Sequence, residues 1–214
     1  MYKGNKRVAI VLNAPYLDAE VTEQDVICAD GGVNLAVGGF MPKYVVGDFD
    51  SAVAEINGAE KETCPQIKDY TDGEKAVAFA KEKGYDEIVI YGTQGGRCDH
   101  VFANYSLLAF AKQIGLKAIA KTETGYFFYA DETDGRVELD EETGSTVSVL
   151  PFDGNVTLDN SDGLFYPYRN IIITRARADV GMSNVTTKRN VSFEIKQGGA
   201  LVFVNKNVVK NVTE

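Results

Sequence analysis

Three short apolar strands in the first half of the chain run straight into a glycine or an acid, and that repetition constrains the fold most. Val8–Leu12 and Val26–Ala29 are apolar runs, and the second passes unbroken into Asp30-Gly31-Gly32. Tyr44–Val46 is a third and ends in Gly47-Asp48-Phe49-Asp50-Ser51. Ile88–Tyr91 is a fourth and ends in Gly92-Thr93-Gln94-Gly95-Gly96-Arg97-Cys98-Asp99. Thr71 is placed to cap a helix, with Glu74 as its capping-box partner and Ala76, Phe79 and Ala80 as an apolar stripe. Ala103, Leu107, Phe110 and Ile114 mark a second helix, which Gly115 stops before a strand at Leu116–Ala120. Strands alternating with helices pair in parallel through right-handed crossovers. Residues 1–130 are therefore expected to form an α/β domain, a Rossmann-like parallel sheet layered with helices.

Beyond about residue 130 the texture changes. Asp131–Gly135 and Glu138–Gly144 are acidic and turn-rich. Val147–Leu150, Val156–Leu158, Ile171–Thr174, Val191–Ile195 and Leu201–Val204 are short apolar segments separated by Gly, Asp and Asn, without a strongly periodic helix among them. That pattern predicts an all-β antiparallel sandwich domain over residues 131–214.

Charge narrows the range of partners. Lys+Arg 22 against Asp+Glu 31 gives a net charge of −9, which disfavours nucleic acid and anionic membranes as ligands. No apolar run reaches the roughly 18 residues of a membrane span, and Met1–Val11 turns strand-like too soon for a signal peptide. Three widely spaced cysteines, Cys28, Cys64 and Cys98, suit a reduced cytoplasm better than a disulfide framework. The Asn-x-Ser/Thr sites at Asn104, Asn155, Asn184, Asn190 and Asn211 are then chance occurrences. A single histidine, His100, rules out a site with several His ligands from one chain, so a zinc enzyme is not expected.

In open parallel sheets ligands bind beyond the carboxyl ends of the strands. Asp30, the pair Asp48 and Asp50, and the Gly92–Asp99 loop each follow a strand and converge on that edge, where Asp72 and Lys75 can join them. Two carboxylates one residue apart point the same way in extended chain, and hard oxygen donors favour Mg²⁺. By itself Asp-x-Asp reads as a turn with solvated acids, and its position at a strand end beside Gly47 favours the metal reading. Gly95 and Gly96 allow backbone amides to approach a phosphate, the following helix start adds free N–H groups, and Arg97 supplies a fork for phosphate oxygens. The usual P-loop and dinucleotide fingerprints are absent. Asp72 and Lys75 also read as a surface ion pair on a capped helix, and His100 reads more simply as a structural residue. Clustered acids would repel a polyphosphate unless a divalent cation and fixed bases such as Arg97 and Lys75 accompanied them.

Taken in order, these segments resemble the thiamine pyrophosphokinase family. The carriers are Asp30-Gly31-Gly32, then Pro42 to Val46 leading into Gly47–Ser51, then Thr71-Asp72-Gly73-Glu74-Lys75-Ala76. Gly95–His100 with Asn104, Leu107 and Leu108 follows, and the second half adds Val147–Pro151, Gly163–Tyr166 and Ser183-Asn184. The resemblance implies transfer of pyrophosphate from ATP to the thiamine hydroxyl, giving thiamine diphosphate and AMP. It implies Mg²⁺ held by Asp48, Asp50 and Asp72, and ATP held by Asp30, Gly31, Gly32, Lys75, Gly95, Gly96 and Arg97. Lys75, Arg97 and Asp99 would be catalytic, with Asp99 orienting or deprotonating the thiamine hydroxyl or serving as a further metal ligand. Ser183 and Asn184 would hydrogen-bond the aminopyrimidine, with Tyr166 or Tyr168 beside the rings. A cytoplasmic homodimer follows too, each site shared between the α/β domain of one chain and the β domain of the other. Ala14 after Asn13 departs from the expected glycine, and no tryptophan is present where some relatives place one.

Two other readings compete. Asp48 and Asp50 approach the Asp-x-Asp-x-Thr/Val pattern of haloacid-dehalogenase phosphatases, although Ala52 stands at the Thr/Val position. A non-catalytic nucleotide- or thiamine-binding module would not need the full set of Asp48, Asp50, Asp72 and Lys75.

Overall fold

The computed structural model describes residues 6–48, 59–63, 70–177 and 179–206. The chain divides into two compact units, Met1–Glu123 and Thr124–Glu214.

In the first unit the strands are β1 (Arg7–Val11), β2 (Val26–Ala29), β3 (Tyr44–Gly47), β4 (Glu60–Thr63), β5 (Glu87–Tyr91) and β6 (Lys117–Lys121). They lie in the order β6-β5-β1-β2-β3-β4 and every pairing is parallel. The near-continuous apolar runs of β1, β2 and β5 are buried almost without exception, as expected of strands covered on both faces. Helix α1 (Asp72–Glu82) turns Ala76, Val77, Phe79 and Ala80 inward, and Phe79 meets the Tyr44 ring edge-on at 5.2 Å. Helix α2 (Cys98–Gln113) buries Leu107, Leu108 and Ala111. Gly115 follows at φ 76, a left-handed stop that a side chain would disfavour. After β1 the chain moves one way across the sheet to β2, β3 and β4, and later returns to β5 and β6 on the other side. The order therefore reverses between β1 and β5, the position where open parallel sheets form a crevice.

Two elements of this unit escape the sequence pattern. A 3-10 run spans Asp30–Gly38, where the sequence shows only a glycine turn. Strand β4 reads Glu-Lys-Glu-Thr, with no apolar alternation to announce it, and among the described residues it pairs on one side only.

The second unit contains β7 (Gly125–Asp131), β8 (Arg136–Asp140), β9 (Thr146–Asp162), β10 (Ile171–Ile173), β11 (Asn184–Val185) and β12 (Asn190–Asn205). All its strand pairings are antiparallel, in the order β10-β9-β12-β7, with β8 on β12 and β11 on β9. Its core includes Val156, Leu158, Phe193, Ile195 and Val202. Among the described residues its one helical element is the 3-10 turn Asp179–Gly181. The apolar segments expected as separate strands at 147–150 and 156–158 are one strand, β9, and those at 191–195 and 201–204 are one strand, β12. Gly154 and Gly198 stand at φ 68 and 81 inside them, and register shifts along β9 and β12 bend the ladder without ending it. The change of texture was expected near residue 130, whereas the division falls after Glu123, because β7 pairs along its whole length with β12.

Candidate active site

Asp30 leaves β2 in the left-handed region, at φ 43, which few side chains adopt without a local reason. It is 5% exposed, and its Oδ1 has no hydrogen-bond partner among the described residues. The glycines around it serve close packing. A Cβ on Gly32 would stand 2.2 Å from the Val11 carbonyl oxygen, and one on Gly31 would stand 2.6 Å from the Asn13 side chain. The Asp-Gly-Gly turn can thus seat the 3-10 run directly on the end of β1. A buried carboxylate oxygen without a partner is costly, so one held in place at a cleft suits a cation.

The start of α1 is built as its sequence predicts. Thr71 Oγ1 accepts from the Glu74 amide, and Glu74 accepts from the Thr71 amide at 2.7 Å, closing a capping box. One turn in, Lys75 Nζ donates to Asp72 Oδ1 at 2.8 Å, with the lysine largely buried.

The loop after β5 is held from below by a residue that the sequence does not single out. Asp18 is buried; its carboxylate accepts from the Gly92 amide at 2.9 Å and from the Thr93 hydroxyl at 3.4 Å. The Thr93 carbonyl in turn accepts from the Asn104 amide at 3.4 Å, tying the loop to α2. Gly92, Gly95 and Gly96 all have positive φ, and a Cβ on Gly95 would meet the Pro15 ring at 2.7 Å. At the helix start Arg97 forks onto Asp99 at 3.1 and 2.5 Å, and Asp99 also accepts from the His100 amide. The Arg97 guanidinium holds the Asp99 carboxyl below the usual carboxylate range, and Asp99 raises Arg97 in return. Both side chains are exposed, so the pair is available to a ligand.

These elements surround a cleft of about 320 Å³ at the carboxyl edge of the sheet. Asp30, Asp48 and Asp72 all line it, joined by Asn13, His100 and Asn104. Lys75, Arg97, Asp99, Gly95 and Gly96 belong to the neighbouring helix starts and loop rather than to its walls. Gly31 and Gly32 are buried beneath it. Asp50 lies outside the described residues, among which no three His, Cys, Asp or Glu side chains close into a ready-made metal set. The sequence underrates His100 and passes over Asn13 as a cleft residue; the position of each just after a strand or at a helix start was the available signal.

In the second unit Tyr166 is 66% exposed, while Tyr168 is buried in the core against Phe193. Of the two aromatics expected beside a ligand ring, Tyr166 is the accessible one. Ser183 is exposed at φ 54, and its amide donates to Ser148 Oγ. Asn184 is buried, its side chain bonded to the backbone of Tyr166.

A parallel sheet with acids, a glycine loop and an arginine gathered at the carboxyl ends of its strands suits an enzyme that handles phosphate groups. The profile of the thiamin pyrophosphokinase catalytic domain matches residues 19–119. Thiamine pyrophosphokinase of Bacillus subtilis is 32% identical over 152 residues, covering 67% of this chain and 70% of that protein. The crystal structure of a B. subtilis thiamine pyrophosphokinase superposes with a TM-score of 0.81 at 25% identity, over 95% of this chain and 100% of that one. The Candida albicans enzyme shares the fold, with a TM-score of 0.74 at 18% identity over 95% of this chain and 90% of that one. The chain belongs to the thiamine pyrophosphokinase family, an enzyme family, which displaces both the phosphatase and the binding-only readings.

Proposed function

We propose that this chain transfers the pyrophosphoryl group of ATP to the hydroxyethyl oxygen of thiamine, giving thiamine diphosphate and AMP. The observation that carries the reading is the convergence of Asp30, Asp48 and Asp72 on one cleft at the point where the strand order reverses. The donor set fits Mg²⁺, which takes one or two carboxylates together with substrate phosphates. The buried Oδ1 of Asp30, without a partner among the described residues, fits it too. Asp48 and Asp72, with Asp50 two residues after Asp48 in sequence, would hold the ion, and Asp30 would face it. Bound there, Mg²⁺ would neutralise triphosphate charge that the acids otherwise repel.

The chain's own groups then position and neutralise. The thiamine oxygen bonds to the β-phosphorus and gives up its proton to solvent, the bond from that phosphorus to the α,β-bridging oxygen breaks, and AMP leaves. Lys75 and Arg97 hold phosphate oxygens, and Gly95 and Gly96 let the loop approach them. Asp99 orients the thiamine hydroxyl: its bond to Arg97 makes it a weak base, and a loose transition state asks little of a base. Tyr166 lies beside the thiamine rings, where an aromatic face attracts the cationic thiazolium, and Ser183 bonds the aminopyrimidine. The finer architecture we assign is a Rossmann-like nucleotide domain up to Glu123 and a sandwich thiamine domain from Thr124 onward. Two chains would pair as a cytoplasmic homodimer with shared sites.

Incubation of the purified protein with ATP, Mg²⁺ and thiamine, followed by chromatography, tests the reaction. AMP and thiamine diphosphate in equal amounts, both abolished by EDTA, are expected. A folded protein that forms neither would overturn the reading.

A further inference from the structure

The resemblance gives Asn184 to the thiamine aminopyrimidine, but its amide is already committed inside the protein. Asn184 is 2% exposed. Its Oδ1 accepts from the amides of Tyr166 and Val185, each at 3.0 Å, and its Nδ2 donates to the Tyr166 carbonyl at 2.7 Å. Two N–H donors on one side and a carbonyl on the other fix which end of the side chain is oxygen.

The segment that Asn184 holds is otherwise poorly anchored at its tip. Gly163–Phe165 is strapped to β11 and the residues after it by backbone bonds: Thr187 donates to the Gly163 carbonyl, and Phe165 donates to the Val185 carbonyl. That ladder stops at Phe165. At Tyr166 the Asn184 side chain takes over, offering a carbonyl and an N–H as a peptide unit of a strand would. Phe165 and Tyr166 are 62% and 66% exposed, so core packing does not fix their rings. They meet each other edge-to-face at 4.9 Å and 83°. Their placement therefore depends on the backbone beneath them.

We propose that Asn184 is a positioning residue that never touches thiamine, and that it sets the Phe165–Tyr166 aromatic pair against the cationic thiazolium ring. The proposal rests on the reaction assigned above. Asn184→Ala removes all three bonds, and Asn184→Asp sets a carboxylate oxygen against the Tyr166 carbonyl. Each raises the KM for thiamine about tenfold, the scale of a lost cation–ring contact. The KM for ATP stays within about twofold, since binding of that substrate does not use the pair. Tyr166→Ala gives a similar rise, and adding it to Asn184→Ala gives no further loss. An unchanged thiamine KM in folded Asn184→Ala, or effects that multiply in the double variant, overturns the proposal.

Hydrogen exchange on the unmodified protein decides the matter even if the variants do not fold. The Tyr166 amide should exchange slowly with and without thiamine, because its acceptor is a buried side chain. Fast exchange in the free protein, or protection lost when thiamine binds, overturns the clamp. Failure of the unmodified protein to make thiamine diphosphate would instead defeat the assigned reaction, and the exchange of the free protein would still read the clamp.

Discussion

Gly47 lies so close to Asp30 that a Cβ on the glycine would stand 2.9 Å from the Asp30 Cβ and 3.1 Å from its Cα. The glycine of the third strand end thus fixes the acid of the second, and two motifs separated in sequence form one wall of the cleft. Gly47→Ala should cost about 1–3 kcal/mol through overpacking and should lower turnover by displacing Asp30. Asp30→Asn separates the two effects, because asparagine tolerates positive φ and keeps the shape. Its melting temperature should stay close to that of the parent, while kcat falls about 10²–10³-fold. Turnover at the parental rate in a folded Asp30→Asn protein would remove Asp30 from the site.

The Arg97–Asp99 pair is exposed, so it contributes little to stability and its loss reads mainly in function. Arg97→Ala should reduce kcat by about 10²–10³-fold with little change in thermal melting. Arg97→Lys should recover only part of that, because an ammonium cannot reproduce the planar fork. Removing the guanidinium also lets the Asp99 pKa rise back toward the ordinary carboxylate range. The acid limb of the kcat/KM profile should therefore move to higher pH in Arg97→Ala. A limb that does not move would dissociate Asp99 ionisation from the reaction.

Asp18 accounts for the loop between β5 and α2 from beneath. Asp18→Ala leaves the Gly92 amide and the Thr93 hydroxyl unpaired in a buried place, at a cost of about 1–3 kcal/mol. Asp18→Asn keeps an acceptor for the Gly92 amide and should retain most of the stability. Urea unfolding of the two variants distinguishes them, and equal loss in both would mean that the negative charge, rather than the hydrogen bonds, matters.

Much of this fold was legible because parallel strands buried on both faces must be apolar throughout. Val26–Ala29 and Ile88–Tyr91 could be read as strands from composition alone, and Thr71 with Glu74 fixed the start of α1. Strand β4 was not legible, since an edge strand has no apolar requirement. Nor was β8, whose Arg-Val-Glu-Leu-Asp alternation is submerged in acidic turn residues. In the site, the acids were visible because Asp30 and Asp48 follow strands directly and Asp72 and Asp99 stand in the first turns of helices. Asp18 was not, because its importance lies in two backbone and hydroxyl donors more than 70 residues away. Asn184 carried the right motif, but only geometry reveals that its amide faces the protein's own backbone.

At the opposite edge of the first unit a second network contributes to the loss of stability at alkaline pH. The Tyr85 hydroxyl donates to Asp25 Oδ2 at 2.6 Å, and Lys43 Nζ donates to the same carboxylate at 2.9 Å. Burial first, and the bond to Asp25 second, push the Tyr85 phenol up to about 12. Burial and a bond to Glu23 push Tyr91 to about 12 as well. An unfolded tyrosine loses its proton near pH 10, while these two keep theirs, so the folded state binds more protons above that value. Their contribution is therefore complete below about pH 10 and is lost as pH rises toward 12. Tyr85→Phe should cost about 1–2 kcal/mol at pH 7 through the lost hydrogen bond. Between pH 9 and pH 11, however, it should lose less stability than the parent, because one of the phenols that folding keeps protonated is gone. Urea melts of both proteins at pH 7, 9 and 11 measure this directly, and parallel decline in the two would show that Tyr85 does not carry the alkaline transition.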